Sequence, residues 1–389
     1  MIERIKFSNF RDYIKLLKLF FKQVLSQITK VNYLWKFDFD KLEESSEHKI
    51  LLFAPSMTID KPHYLNVGIR NFIEEAKAIN IDVELLQCVK GLDICHLGGS
   101  PFKSSNKLPC SSCRKVNKLL YKDLNVIEFK DINKKIMLNH LSFDDLINYK
   151  YKGIELGKCS LTSISWILRT SIVTSKHRDY LYKSITSSIK LIDFIEKLDL
   201  SSFSGVLVFN GLTLPESIMY QWCKLNEINV ATFESGWSID NQYALEFNYK
   251  PSSQHFFEYT KRNLNGEENQ KVEDYINKKR IGKQKITLNY QNVVSVFGNV
   301  SWDTSQVMAS SLFNSMFEWL EHLVPIINEN THHLFIFRAH PGENRNIKKT
   351  WFGMEQWYEE NKHRFSNNTI CYGADSNIDS YDLISKSKF

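Results

Sequence analysis

Val206-Leu207-Val208-Phe209-Asn210-Gly211 opens a stretch that runs through residues 215–226 to Val230-Ala231-Thr232-Phe233-Glu234-Ser235-Gly236. Each end is a short apolar run closed by turn residues, as expected of a strand buried on both faces. The residues between follow the pattern of an amphipathic helix starting at Pro215. Strand–helix–strand is the repeating unit of a parallel sheet, because parallel neighbours need a crossover connection.

The same alternation extends outward. Upstream, residues 49–54, 81–87 and 125–129 read as strands, and 64–79, 116–121 and 176–198 as helices. Residues 161–173 have helix-compatible periodicity inside an otherwise hard-to-read span, 131–175. Downstream, residues 293–297, 334–337 and 369–372 read as strands, with a helix over about 306–328. The span 259–285 is charged, with Asn265-Gly266 and Lys278-Lys279-Arg280, and its end reads as the domain boundary. The expectation is an α/β protein with two Rossmann-like domains. Its parts are an N-terminal segment 1–45, a domain 46–285 carrying a cysteine-containing loop 88–113, and a second domain 286–389.

The strand at 334–337 ends in Phe337-Arg338-Ala339-His340-Pro341-Gly342-Glu343. Proline stops a central strand and pre-sets the loop. Arginine offers a planar fork suited to phosphate, and histidine a second charge-assisted bond. Loops at strand ends are where open α/β sheets bind ligands. A phosphorylated ligand such as a nucleotide-sugar is the first expectation. The strand at 293–297 runs into Gly298-Asn299-Val300-Ser301-Trp302-Asp303, which supplies glycine for close approach and polar groups for hydrogen bonding or helix capping. Each residue also has a plainer reading. His340 can cap local backbone, Arg338 can pair with a carboxylate at a sheet edge, Asp303 can cap the next helix, and Trp302 can be core. His332 and His333 read as exposed residues before a strand.

The chain has 389 residues, enough for two cores. Hydrophobic residues at 43% and charged ones at 24% describe an ordinary globular composition. A formal charge of +6, spread along the chain, does not indicate nucleic acid as a partner, and no RNA-binding motif organises the 17 Tyr and 26 Phe. No secretory signal and no apolar run near the ~20 residues of a membrane span is visible. Seven cysteines without an export signal point to a reducing cytoplasm. Residues 1–36 place Ile14, Leu17, Phe21, Leu25 and Ile28 at helical spacing, with eight basic residues against two acidic ones. Such a helix suits either an anionic membrane surface, giving a peripheral protein, or docking on its own domain or a partner with its lysines facing water.

Cys88, Cys95, Cys110 and Cys113, with His96 alongside, have the ligands for a structural zinc, and Cys110-x-x-Cys113 has the usual spacing. The whole C-x6-C-x14-C-x2-C pattern is not a standard zinc ribbon, and four reduced thiols are the alternative. Cys159, Cys223 and Cys371 read as packing residues.

Taken together, Phe297-to-Asp303 and Phe337-to-Glu343 resemble the bacterial capsular polysaccharide biosynthesis glycosyltransferases, which carry a strand–Asn-x-x-Trp-Asp loop, a helix and then Arg-x-His-Pro-x-Glu. The resemblance covers roughly residues 200–385 and includes the Asn-Gly and Glu-x-Gly loops of 206–236. It implies a two-domain GT-B plan in which the C-terminal domain holds the nucleotide, and transfer of a sugar, with a CMP-sugar as one donor, to a growing glycan or lipid-linked acceptor of capsule or lipopolysaccharide. Catalysis in that plan requires no cofactor, since basic side chains and helix N-termini replace a metal. Arg338 and His340 are then phosphate contacts. Asn299, Ser301 and Asp303 shape the nucleotide side, and Glu343 bonds a ribose or fixes the loop. The general base is expected on the N-terminal domain, with Glu234 favoured over Asp60 and His63 and with Ser56 and Asn210 on the acceptor side. A structural carboxylate is the alternative for Glu234. Relative to the family, the sequence lacks a further strand, a Ser/Thr-rich turn and a helix start after 380–384. The expectation is an incomplete C-terminal sheet with poorly covered apolar faces and impaired activity. A polyol-phosphate transferase of the teichoic-acid type and a non-catalytic assembly partner are the competing readings.

Overall fold

The computed structural model of the chain describes residues 49–55, 64–95, 97, 108–131, 134, 136–236, 244–248, 265–288, 292–304, 312–345 and 349–388. The expected basic helix within residues 1–45 lies outside these residues, as do Ser56, Asp60, His63 and His96. The described residues group into two compact units. The first takes those of 49–97, 108–160 and 178–248, and the second those of 161–177 and 265–388.

The first unit is built on strands β1 (Lys49–Phe53), β2 (Asp82–Val89), β3 (Val126–Lys130), β4 (Gly205–Phe209), β5 (Val230–Gly236) and β6 (Ala244–Asn248). Their order is β3-β2-β1-β4-β5-β6. The first five are parallel and β6 pairs antiparallel with β5. This is the doubly wound order of Rossmann-like sheets, with its switch point between β1 and β4. Leu52 stands between Leu85 and Leu207 in register, and Ile50, Leu51, Leu52 and Phe53 are all buried. A strand covered on both faces has no polar side to alternate, hence the unbroken apolar run.

Helix α1 (Tyr64–Ala78) lays Ile69, Phe72, Ile73 and Ala76 onto one face, in the same cluster as Ile50, Leu52, Leu207 and Phe233. Their spacing of three and four is the apolar stripe of a docked helix. Four more helices follow: α2 (Cys110–Leu120), α3 (Phe143–Ile147), α4 (Leu156–Leu168) and α5 (Arg178–Ile195). Helix α6 (Glu216–Leu225) joins β4 to β5. Lys190 on α5 is nearly buried and reaches Asp93 at 3.1 Å and Asp131 at 2.9 Å, so a buried cation has two carboxylates. Arg70 and Lys77 hold Asp123, each at 2.6 Å, and these bonds keep the Asp123 carboxyl well below the usual carboxylate range.

The second unit carries helix α7 (Gly266–Arg280) and the parallel strands β7 (Val293–Phe297), β8 (Leu334–Arg338) and β9 (Thr369–Tyr372), in that order. Helices α8 (Met316–Glu329), α9 (Met354–Asn361) and α10 (Ser380–Lys386) complete it. All of β8 is buried. Phe335 and Phe337 pack with Leu320, Val324 and Trp357, whereas Leu334 and Ile336 pack with Ile286, Ile378 and Leu383. Contrary to the expected exposure, the central strand is therefore covered on both faces.

Strands 230–236, 293–297 and 369–372 coincide with the sequence reading, whereas three features depart from it. The sequence reads residues 259–285 only as a charged span ending at the domain boundary, without a helix, yet α7 occupies Gly266–Arg280. It has a capping box between Asn265 and Glu268, acids in its first turn and Lys278, Lys279 and Arg280 in its last, and no buried residue. Caps and dipole-matched charges support it in place of an apolar stripe. Strand β6 was not expected. The single cut near 285 also gives way, because residues 161–177 and those from 265 onward group with β7–β9.

Candidate functional site

In the second unit, the loops leaving the carboxyl ends of β7 and β8 lie side by side. The Gly298 amide donates to the Arg338 carbonyl at 2.9 Å. A Cβ built on Gly342 would stand 2.7 Å from His340 Nδ1 and 3.3 Å from Val300 Cγ2, so only glycine lets the two loops close. The Gly342 amide donates to His340 Nδ1 at 2.9 Å, which fixes the imidazole plane. His340 is half-buried, as are Asn299 and Asp303. The Asn299 side chain accepts from the Val300 amide at 2.7 Å, and the Asp303 amide donates to the Val300 carbonyl at 2.9 Å. This tight turn sends Val300, Ser301 and Trp302 inward.

Three of the six residues expected to contact nucleotide are therefore turned into the protein. Arg338 is 3% exposed. Its guanidinium donates to the Gly373 carbonyl, to the Ser376 carbonyl at 3.2 Å and to Ser380 Oγ at 3.3 Å. It clamps the β9–α10 loop, and burial lowers its pKa. Ser301 is also buried, and its hydroxyl has no partner among the described residues. Glu343 is 3% exposed and accepts from the Met354 amide at 3.3 Å, at the start of α9. Gly353 passes so close that a Cβ would lie 2.5 Å from the carboxylate. Burial pushes the Glu343 carboxyl up to about 7. Of the two expectations for Glu343, this geometry is that of a residue fixing the loop. Asp303 does not cap the next described helix either. That helix starts at Met316 and is capped by Ser315, which accepts from the Glu318 amide at 3.1 Å.

Sequence reasoning missed Arg169. It follows α4 with φ at 60°, in the left-handed region, and its carbonyl accepts from the Trp351 amide at 3.1 Å. Its guanidinium carbon sits 4.3 Å from the Trp302 ring centroid and 5.0 Å from that of Trp166. The two indoles meet edge to face at 5.0 Å. Trp302 is fully buried and donates from Nε1 to Thr350 Oγ1 at 3.1 Å. Burial lowers the Arg169 pKa to about 10, while the Asp303 carboxylate pulls it up. The one sequence signal was an arginine three residues after a tryptophan at a helix end, which is too common to select.

In the first unit, the ends of β4 and β5 bring Asn210 and Glu234 together, with Asn210 Nδ2 donating to Glu234 Oε2 at 2.6 Å. This places an expected base beside an expected acceptor-side residue. All seven cysteines are free thiols. Burial pushes the Cys88 thiol to about 11 and the Cys113 thiol to about 12, and raises Cys95 further. Protonated thiols make neither nucleophiles nor metal ligands without losing that proton. Among the described residues no group of three or more His, Cys, Asp or Glu is placed to hold a metal ion. No helix among them is long and apolar enough to cross a membrane. Comparison of the chain with family models, with curated proteins and with solved structures finds no match.

Proposed function

We propose that the chain is a glycosyltransferase that moves a sugar from a nucleotide-sugar to a growing surface polysaccharide, with the second unit taking the nucleotide. The observation that carries this reading is the pair of loops at the carboxyl ends of parallel strands β7 and β8. There His340 is held by the Gly342 amide while Asn299 and Asp303 stay within reach of solvent. Carboxyl ends of parallel strands are where open α/β sheets bind ligands, and a fixed imidazole suits a phosphate oxygen. The motif order around these loops supports the sugar-transfer chemistry. In this reading the second unit stabilises the leaving phosphate, and in the first unit Glu234, oriented by Asn210, is the candidate base.

The test is a panel of CMP, UDP, GDP and their sugars, read by melting temperature on the full chain and followed by nucleotide release with a glycan acceptor. A ligand at a hundred times its Kd adds about 2.7 kcal/mol of stability, a shift of several degrees. We expect one nucleotide series to raise the melting temperature and His340→Ala to remove most of that rise. If no nucleotide or nucleotide-sugar shifts the wild-type chain, the reading fails.

A further inference from the structure

We infer that Arg169 is a phosphate-binding residue of the second unit, its guanidinium held ready by Trp302 and Trp166 for the anionic tail of a nucleotide. The inference rests on the reading of this unit as nucleotide-binding and assigns the cation that the reading needs, now that Arg338 is committed to the β9–α10 loop.

Three observations carry it. The first is that the guanidinium lies over indole rings but is without a hydrogen-bonded acceptor among the described residues. It lies over Trp302 at 4.3 Å and Trp166 at 5.0 Å, yet it makes no side-chain hydrogen bond among the described residues, and its Nη1 is buried without a partner. A desolvated guanidinium with no acceptor is costly, and arginines serving architecture are given acceptors, as Arg338 is. The second is its place. Trp302 belongs to the loop after β7, and the Trp351 amide that bonds the Arg169 carbonyl follows Thr350, whose own amide donates to Glu343 of the loop after β8 at 2.8 Å. Arg169 therefore sits against the loops that carry His340, Asn299 and Asp303. The third is charge. Asp303 acts on the guanidinium electrostatically without bonding it, so the positive charge is oriented but not consumed. The indole contacts hold the guanidinium in place, and its planar fork suits bidentate recognition, which a phosphate matches and a neutral sugar does not.

Calorimetric titration of the full chain with inorganic pyrophosphate, with CMP and UDP, and with cytidine and uridine tests this. The wild-type chain should bind one of the nucleotides and should bind the matching nucleoside more weakly. Arg169→Gln should weaken the nucleotide and pyrophosphate at least tenfold and leave the nucleoside unchanged. Arg169→Lys, which keeps the charge but not the planar fork, should lose about three- to tenfold. It also decides the matter if the glutamine variant does not fold. Equal nucleotide affinity in the wild-type chain and both variants overturns the role of Arg169 while leaving the nucleotide reading intact. No binding of any nucleotide or pyrophosphate by the wild-type chain overturns both.

Discussion

Arg338 and Arg169 sit in one unit, the first buried and the second half-buried, and their surroundings are opposite. Arg338 at the end of β8 is ringed by acceptors from the Gly373–Ser380 segment. Arg169 after α4 is flanked by aromatic faces and has no hydrogen-bonded acceptor among the described residues. The first holds two chain segments together, and its charge is already spent on carbonyl dipoles. The second is held in place, and its charge remains available. A cation's surroundings, more than its place in a motif, tell structural service from ligand service.

The sharpest way to break this contrast is Arg338→Met. Removing the buried guanidinium leaves the half-buried Gly373 and Ser376 carbonyls without their donor, at a cost of about 3 kcal/mol in urea unfolding. A cost below about 1 kcal/mol, within the range of a surface change, would erase the distinction.

Glu343 extends the contrast to an acid, because it is buried next to an amide and, among the described residues, no cation pairs with it. Its carboxyl holds a proton up to about 7 in the folded chain, while the unfolded chain releases it near ~4.3. Between those values the native state binds more protons than the unfolded state, so stability should fall as pH rises and level off above the upper value. The loss amounts to on the order of 3 to 4 kcal/mol. Glu343→Gln keeps a carbonyl for the Met354 amide and should abolish that slope, leaving the variant the more stable chain at pH 8. Unfolding curves at four or five pH values decide it, and an unchanged slope would show that another group is responsible.

The smallest effect belongs to Arg169→Gln. Lost cation–π contact with two indoles, about 1 to 2 kcal/mol, is offset by relief of an unpaired, partly desolvated charge. Stability should move by no more than about 1 kcal/mol. A loss as large as that of Arg338→Met would make Arg169 a second structural arginine.

Much of the frame was legible in the sequence because its central strands β1, β4 and β8 are buried almost throughout and read as unbroken apolar runs. β5, β7 and β9 coincide with their sequence ranges, although β7 and β9 are only partly buried. Helix α7 was not legible, since it has no buried residue and its support lies in caps and end charges. The grouping of residues 161–177 with β7–β9 leaves no local trace either, because contacts between distant segments are not encoded in periodicity. At the site, the loops were readable from glycine, proline and histidine at a strand end, but the direction of each side chain was not weighed. Period-two alternation puts Arg338 on the face of Leu334 and Ile336, which packs against Leu383 of α10. That face was bound to be interior. Arg169 needed the converse, a partner over a hundred residues away in sequence, and only the fold supplies it.

Asn210 has a consequence for the other unit. It holds a left-handed backbone with φ at 61°, donates to Glu234 at 2.6 Å, and accepts from the Leu212 amide at 3.1 Å. Glycine would satisfy only the first demand. Aspartate would set a second carboxylate against the first, and a longer amide would overshoot both bonds. The joint between the tips of β4 and β5 thus works like a lock cut for a single key, and whatever shifts one tip drags its neighbour along.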